Sequence, residues 1–178
     1  MKYRLNTSNP GKLEEFQRLF RKYGSTVEAS SADLREIVAD HVSVVVHKAS
    51  QVEEGVLVDD TSLDVDGGGI GVNIRWLLNY LDQYVGKRAV ATVLLAYRKG
   101  EKVYVYKGEL YGSIAWPDAI GGFGFDPYFL PAGTDKTLAE EKPDHFNPRA
   151  LAIQALVHNE LFALKSPIYN WHGEWQIN

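Results

Sequence analysis

Apolar and polar residues alternate from Lys2 to Thr7, with Tyr3 and Leu5 on one side, which is the period of a half-buried strand. Leu13, Phe16, Leu19, Phe20 and Tyr23 then recur at helical spacing and predict a helix over Lys12–Tyr23 with one core-facing stripe. A short strand at Thr26–Ala29 is followed by the polar stretch Ser30 to Asp33. A helix over His41–Glu54 would bury Val42, Val45, Val46 and Ala49 and end at Gly55. Val56-Leu57-Val58 is an unbroken apolar run, the pattern of a strand covered on both faces, and it delivers Asp59-Asp60-Thr61-Ser62 at its C-terminal end.

Farther on, Asn73–Tyr84 reads as a helix with Ile74, Leu77, Leu78 and Leu81 inward. Ala89–Tyr97 and Lys102–Trp116 are rich in Val, Tyr and Ile, and Arg98-Lys99-Gly100-Glu101 between them is turn chemistry, so a long β-hairpin interrupts the α/β alternation. The glycine-rich Gly121-Gly122-Phe123-Gly124 leads to a short strand at Asp126–Leu130. A last helix is expected over Pro148–Leu164, with Ile153, Leu156, Val157, Leu161 and Leu164 at helical spacing and Pro167 beyond it. The tail holds Tyr169, Trp171 and Trp175, too many aromatics for a free end, and is expected to pack on the body. These elements define an α/β fold, a mixed sheet with flanking helices and a long hairpin, in a single domain spanning residues 1–178.

Composition narrows the function. The 178 residues are 45% hydrophobic, enough for a real core. A formal net charge of −4 argues against a nucleic-acid or membrane-surface binder, because polyanions demand a basic face. Zero cysteines exclude disulfides and thiolate zinc sites. Neither a leader pattern nor a long apolar run is present, so the expected location is the cytoplasm. The five histidines lack H-E-x-x-H spacing and read as structural or exposed, not as zinc ligands.

Two places carry chemistry. Between Leu5 and Phe16 a strand enters a turn and then, at once, an amphipathic helix. Free N–H groups at the helix start, the positive end of its dipole and the Lys12 ammonium together favour an anion. Only Gly11-Lys12 of a Walker A loop is present, and the alternative is a plain turn capped by Asn9 with Pro10 opening the helix. Asp59-Asp60 is the second place. An anion cradle and a carboxylate pair at neighbouring strand ends are compatible only with a cation between them, and magnesium suits carboxylates plus phosphate oxygens. Adjacent strand residues point to opposite sides, so one aspartate would hold metal or water while the other orients the site; a solvated turn is the alternative. Asp33-Leu34-Arg35-Glu36 is a further acidic cluster. Phe123, Phe125 and Tyr128 flank a glycine turn ending in Asp126-Pro127, and either stack on a base or join the core.

With these segments in order, the chain resembles the inosine triphosphate pyrophosphatase family, also called Ham1 or RdgB-like. Thr7-Ser8-Asn9-Pro10-Gly11-Lys12-Leu13-Glu14-Glu15-Phe16 is similar to its opening T-x-N-x-x-K-x-x-E. Asp33-Leu34-Arg35-Glu36-Ile37 is similar to its D-L-x-E, Val56-Leu57-Val58-Asp59-Asp60-Thr61 to its strand with the catalytic Asp, and Gly122-Phe123-Gly124-Phe125-Asp126-Pro127-Tyr128-Phe129 to G-F-G-Y-D-P-x-F. The resemblance implies an elongated, usually homodimeric α/β fold of the ITPase-like (Maf/Ham1) type. It implies magnesium-dependent cleavage of ITP, dITP and XTP to monophosphate and pyrophosphate. Thr7, Asn9 and Lys12 would hold triphosphate, with Ser8, Gly11 and Thr61 beside them. Glu36 and Asp60 would bind metal, with Asp59 kept as a third candidate ligand, and Asp60 would help activate water. Phe123 would stack on the base and Asp126 would shape its pocket together with Gly124 and Phe125.

The chain departs from the family pattern where the base is read. Family members carry Lys and then Ser-His-Arg before the last helix; here Lys142-Pro143-Asp144-His145-Phe146-Asn147-Pro148-Arg149 stands there, without the tripeptide. Lys142 and Arg149 are the candidate base contacts, with His145 as a spatial substitute. Gly67-Gly68-Gly69-Ile70-Gly71 is also shortened, although Ile74-Arg75-Trp76 resembles the expected Ile-Lys-Trp. Base preference is therefore open to another modified or a standard nucleotide.

Overall fold

The computed structural model describes residues 1–68, 71, 77–117 and 124–177. Its principal elements are β1 (Lys2–Asn6), α1 (Pro10–Arg21), β2 (Thr26–Ser30), α2 (His41–Ser50), β3 (Val56–Val65), β4 (Arg88–Lys99), β5 (Lys102–Ile114), β6 (Phe129–Pro131), α3 (Pro148–Val157) and β7 (Ala163–Lys165). The strands form one sheet in the order β2-β1-β3-β4-β5-β6, with β7 also paired to β5. β1 runs parallel to both β2 and β3, whereas β5 is antiparallel to β6 and β7. The sheet is thus mixed, as the alternation interrupted by a hairpin predicts. Two loops supply the helix signals. Asn9-Pro10 and Asn147-Pro148 place an asparagine before a helix and proline at its first position, where the missing N–H is no loss. Asn9 Oδ1 accepts from Lys12 N at 3.1 Å, and Asn147 Oδ1 accepts from Arg149 N at 3.0 Å.

Residues group into two compact units. The first comprises Met1–Asp60, Leu94–Lys107 and Ala152–Asn178; the second comprises Thr61–Val93 and Gly108–Leu151. In the first, Val45, Val46 and Ala49 of α2 pack on Val56 and Val58 of β3 and on Leu94, Ala96, Val103 and Val105. In the second, Leu63, Leu77, Leu81, Ala91, Ile114 and Phe129 are among the buried core residues. Tyr3, Phe16 and Phe20 form an aromatic run between β1 and α1, the Phe20 ring centroid lying 4.7 Å from that of Tyr3 and 6.4 Å from that of Phe16.

The structure corrects five expectations. β3 does not end at Val58 but continues through both aspartates to Val65. The expected last helix stops at Val157, because Asn159 takes a left-handed conformation with φ 54°. Glu160 N then bonds Ala155 O and Asn159 N bonds Leu156 O, the two bonds of a Schellman cap. The chain emerges as β7, so Leu164 is a strand residue paired with Tyr104. α2 ends at Ser50, whose hydroxyl donates to Val46 O and accepts from Ile168 N, tying the helix end to the tail. Asp126–Tyr128 forms a 3₁₀ turn and only Phe129–Pro131 is strand, since Pro127 carries no N–H for a ladder. Of the helix expected over Asn73–Tyr84, residues 73–76 lie outside the described residues, including Ile74-Arg75-Trp76; Leu77 and Leu78 are helical, and Leu81–Tyr84 is a 3₁₀ turn. Among the described residues no helix is long and apolar enough to cross a membrane.

Candidate active site

β1 hands the chain to α1 through a turn that its own polar groups hold. Asn6 exchanges two hydrogen bonds with Ala32, Thr7 N donates to Ser30 O at 2.8 Å, and Thr7 Oγ1 accepts from Asn9 N at 3.1 Å. With Asn9 capping the helix, Lys12 stands in the first turn of α1 and its side chain is about three-tenths exposed, at 29%. Ser8 is exposed and Gly11 half-buried in the same turn. The register Leu5↔Leu57 brings the exit of β1 to the stretch of β3 that carries Asp59. Lys12 Nζ lies 3.3 Å from Asp59 Oδ2 and 3.4 Å from Oδ1.

The two aspartates do have different surroundings, as strand alternation requires. Asp59 faces Lys12. Asp60 faces α2: its Oδ2 is 3.0 Å from His41 Nε2, and its Oδ1 is 3.6 Å from Lys48 Nζ. Lys48 also donates to Glu36 Oε1 at 3.1 Å and to the Asp59 carbonyl oxygen at 2.6 Å. Asp59 and Asp60 are buried, with 3% and 6% exposure, in the interior of a strand where carboxylates are ordinarily depleted. Three cationic or protonatable partners make that possible. Burial by itself would depress the Lys48 pKa, but the Asp60, Glu36 and Asp59 charges outweigh it and push the group up to about 12. Lys48 is therefore a permanent cation at the point where the Glu36 and Asp60 carboxylates converge.

That convergence decides what the site can hold. Glu36 and Asp60 each direct an oxygen to one cationic point, and two carboxylates completed by phosphate oxygens and water match what Mg²⁺ prefers. The Asp59 carboxylate is engaged with Lys12 instead. Among the described residues no group of three or more His, Asp or Glu side chains is gathered to hold a metal unaided. Lys48 and His41 were not among the residues expected from sequence. Their signal was present: seven residues apart on α2, they share one helix face, beside the Val45 and Val46 stripe.

Residues expected around a base lie in the second unit. Lys142 Nζ donates to Asp126 Oδ2 at 3.0 Å, pairing a half-buried ammonium with a carboxylate that is 2% exposed. Asp126 is held by its 3₁₀ turn and by Ala139 N bonding its carbonyl oxygen at 3.1 Å. Gly124 has φ 50°, a conformation that suits glycine. Phe125 is buried in the core against Phe129, ring centroids 5.9 Å apart. Thr61 follows Asp60 on β3. Arg149, in the first turn of α3, is 8% exposed and not a solvated helix residue. Asn147 spends its amide oxygen on the helix cap, with Ala150 N as a second donor at 3.3 Å. His145 is exposed and its ring meets that of Phe146 at a tilt, with centroids 4.5 Å apart. Phe123 lies outside the described residues.

Comparison with known proteins adds independent findings. The family model described as the Ham1 family matches residues 3–159. The dITP/XTP pyrophosphatase of Pyrobaculum aerophilum is 34% identical over 176 residues, taking in 88% of this chain and 94% of that protein. The dITP/XTP pyrophosphatase of Thermococcus kodakarensis is 32% identical, covering 83% and 91% of the two chains. Among solved structures, the Staphylococcus aureus Ham1 protein superposes with a TM-score of 0.66 at 25% identity, over 90% of this chain and all of that one. A nucleoside-triphosphatase, dITP/XTP pyrophosphatase, from Mycobacterium abscessus gives 0.56 at 27% identity, over 89% of this chain and 95% of that one.

Proposed function

The chain belongs to the Ham1 family, and on that footing we propose that it hydrolyses non-standard purine nucleoside triphosphates such as dITP, ITP and XTP to the monophosphate and pyrophosphate. The observation that carries the proposal is the charge arrangement at β3. Glu36 and Asp60 meet at one buried cation while the neighbouring Asp59 holds Lys12 at the entry of α1.

Each residue then has a distinct task. Lys12 and the first turn of α1, with Thr7 and Asn9 shaping the turn, receive the triphosphate. Asp59 orients Lys12. Asp60 takes the proton of the water that attacks the α-phosphorus, and its carboxylate is held for that role by His41 at one oxygen and Lys48 at the other. Glu36 and Asp60 would hold Mg²⁺, whose chemistry when bound is to withdraw charge from phosphate oxygens. By the family resemblance, base selection is assigned to Phe123, Asp126 and Lys142, with Arg149 as a further donor. A homodimer in the cytoplasm is the assembly and location that the family resemblance supports.

A second reading keeps the chemistry and moves the base. Ser-His-Arg is missing and Asn147 is committed to the helix cap, so another modified or a standard nucleotide is an alternative substrate. Pyrophosphate release across ITP, dITP, XTP and the standard triphosphates, with and without Mg²⁺, tests both. Equal amounts of monophosphate and pyrophosphate are expected, with the deaminated purines preferred. Orthophosphate and diphosphate as first products, or no turnover of any nucleotide, would overturn the proposal.

A further inference from the structure

Glu36 sits on irregular backbone between β2 and α2, and what fixes it comes from the far end of the chain. Gln176 N donates to the Glu36 carbonyl oxygen at 2.8 Å. Ile37 and Trp175 form an antiparallel bridge, Val38 N donates to Glu174 O at 2.9 Å, and Gln176 Nε2 donates to Ile37 O at 3.0 Å. The tail itself is braced, because Trp171 Nε1 donates to Glu174 O at 2.9 Å. The Trp175 ring closes the arrangement from both sides. It lies 4.6 Å from the Arg35 guanidinium on one side and meets His47, the neighbour of Lys48, edge-on at 5.4 Å on another. These tail residues lie beyond the stretch, residues 3–159, that the family model matches.

We propose that Trp175 and Gln176 are positioning residues for the metal and triphosphate chemistry, setting the Glu36 carboxylate against Asp60 and Lys48. The inference rests on the functional reading above. Its physical basis is that an irregular segment has many backbone conformations, and only a fixed one presents a carboxylate at a constant place. The bonds from Glu174 and Gln176 bracket Glu36 and its next two residues and remove that freedom. Trp175 also holds the adjacent guanidinium on its ring face, an attraction expected of an aromatic quadrupole. The tail thus acts on the site through Glu36 without touching substrate.

Three variants test this: Trp175→Ala, the conservative Trp175→Phe, and the milder Gln176→Ala, which keeps the backbone bond from residue 176. Mn²⁺ binding is measured by electron paramagnetic resonance and calorimetry without nucleotide, alongside melting temperature and the Mg²⁺ dependence of pyrophosphate release. Partners that orient metal ligands typically change metal affinity by about 10- to 100-fold; since this action is indirect, Trp175→Ala should weaken Mn²⁺ about 10-fold, with Gln176→Ala smaller and Trp175→Phe within about 3-fold of the parent. Hydrogen exchange at the Val38 amide should accelerate in parallel. The half-saturating Mg²⁺ concentration should rise while kcat at saturating metal stays within about 2-fold of the parent, as loss of ligand placement requires. Unchanged Mn²⁺ affinity in Trp175→Ala and Gln176→Ala, with only the melting temperature lowered, would make the tail a purely structural latch and overturn the inference. So would a parent that binds no Mn²⁺. A parent that binds Mn²⁺ yet releases no pyrophosphate would instead overturn the functional reading and leave the placement of Glu36 by the tail standing.

Discussion

Lys48 offers the most quantitative test, because the structure gives its partners, its burial and its ionisation. Replacement by Met keeps the stem and deletes the charge, leaving Glu36 and Asp60 facing each other without a cation. The native pKa stands near 12 against an ordinary 10.5, a rise of about 1.5, which at about 1.36 kcal/mol per unit amounts to roughly 2 kcal/mol of stabilisation. Removing one member of a buried ion pair costs about 3–5 kcal/mol, and that sets the upper end. A chain of this size loses about 2–4 °C per kcal/mol, so the melting temperature of Lys48→Met should fall by roughly 4–20 °C in metal-free buffer. Millimolar Mg²⁺ should then raise the variant's melting temperature more than the parent's, since the two carboxylates need a positive neighbour. The pH dependence has a fixed sign. A raised native pKa gives stability that is present below pH 10.5 and fades as pH climbs through about 12, so the gap between parent and variant should narrow as the pH rises into that range. Calorimetry and urea unfolding of both proteins, with and without Mg²⁺, decide it. A variant within about 0.5 kcal/mol of the parent, a range ordinary for a surface change, would refute the assignment of Lys48 as the cation that holds this site together.

Asp60→Asn should lower kcat about 10²- to 10⁴-fold, measured by pyrophosphate release, because an amide cannot take the water proton; a near-normal rate would remove Asp60 from the mechanism. Lys12→Ala should reduce kcat/KM for triphosphates far more than it lowers the melting temperature, since the Lys12 stem is partly exposed and outside the core; parallel loss of both would make Lys12 structural. On the proposed role of Arg149 as a base reader, Arg149→Ala should shift the ratio of kcat/KM for ITP to that for GTP, because losing a donor changes which ligand leaves polar groups unpaired. An unchanged ratio would confine Arg149 to packing.

The fold was legible wherever periodicity ran without interruption. β1, α1, β2 and the β4–β5 hairpin lie within a few residues of their expected bounds, because their apolar spacing is itself what drives burial. Failures came where a local signal opposed the pattern. Leu161 and Leu164 continue the helical spacing of Ile153, Leu156 and Val157, yet Asn159 breaks the helix between them. An asparagine can adopt the left-handed conformation that a Schellman cap needs, and its side chain also accepts from Tyr106 Oη at 3.0 Å. Apolar spacing alone carries no record of that bond. The tail was expected to pack on the body, and it does, but the residues it meets, Glu36 to Val38, were beyond the reach of any pattern read within one segment.

The site divides along the same line. Thr7, Asn9 and Lys12 were visible because cap, proline and ammonium are close in sequence and the anion they favour follows from helix geometry. Asp59 and Asp60 were visible as residues but misplaced as elements, since two carboxylates argue for the end of a strand and not its interior. What overrides that preference is a set of distant partners, the Lys12 ammonium together with the Lys48 ammonium and the His41 imidazole, the last two from the polar edge of a helix whose apolar stripe faces the core. A strand interior that tolerates adjacent aspartates only when compensated from two helices departs from local preference, and such departures are expected to collect at functional sites. The compensation also explains why the pair divides its labour. The Asp59 carboxylate pairs with Lys12 and the Asp60 carboxylate shares Lys48 with Glu36, which is why the proposed mechanism has one aspartate place a cationic side chain and the other take the proton.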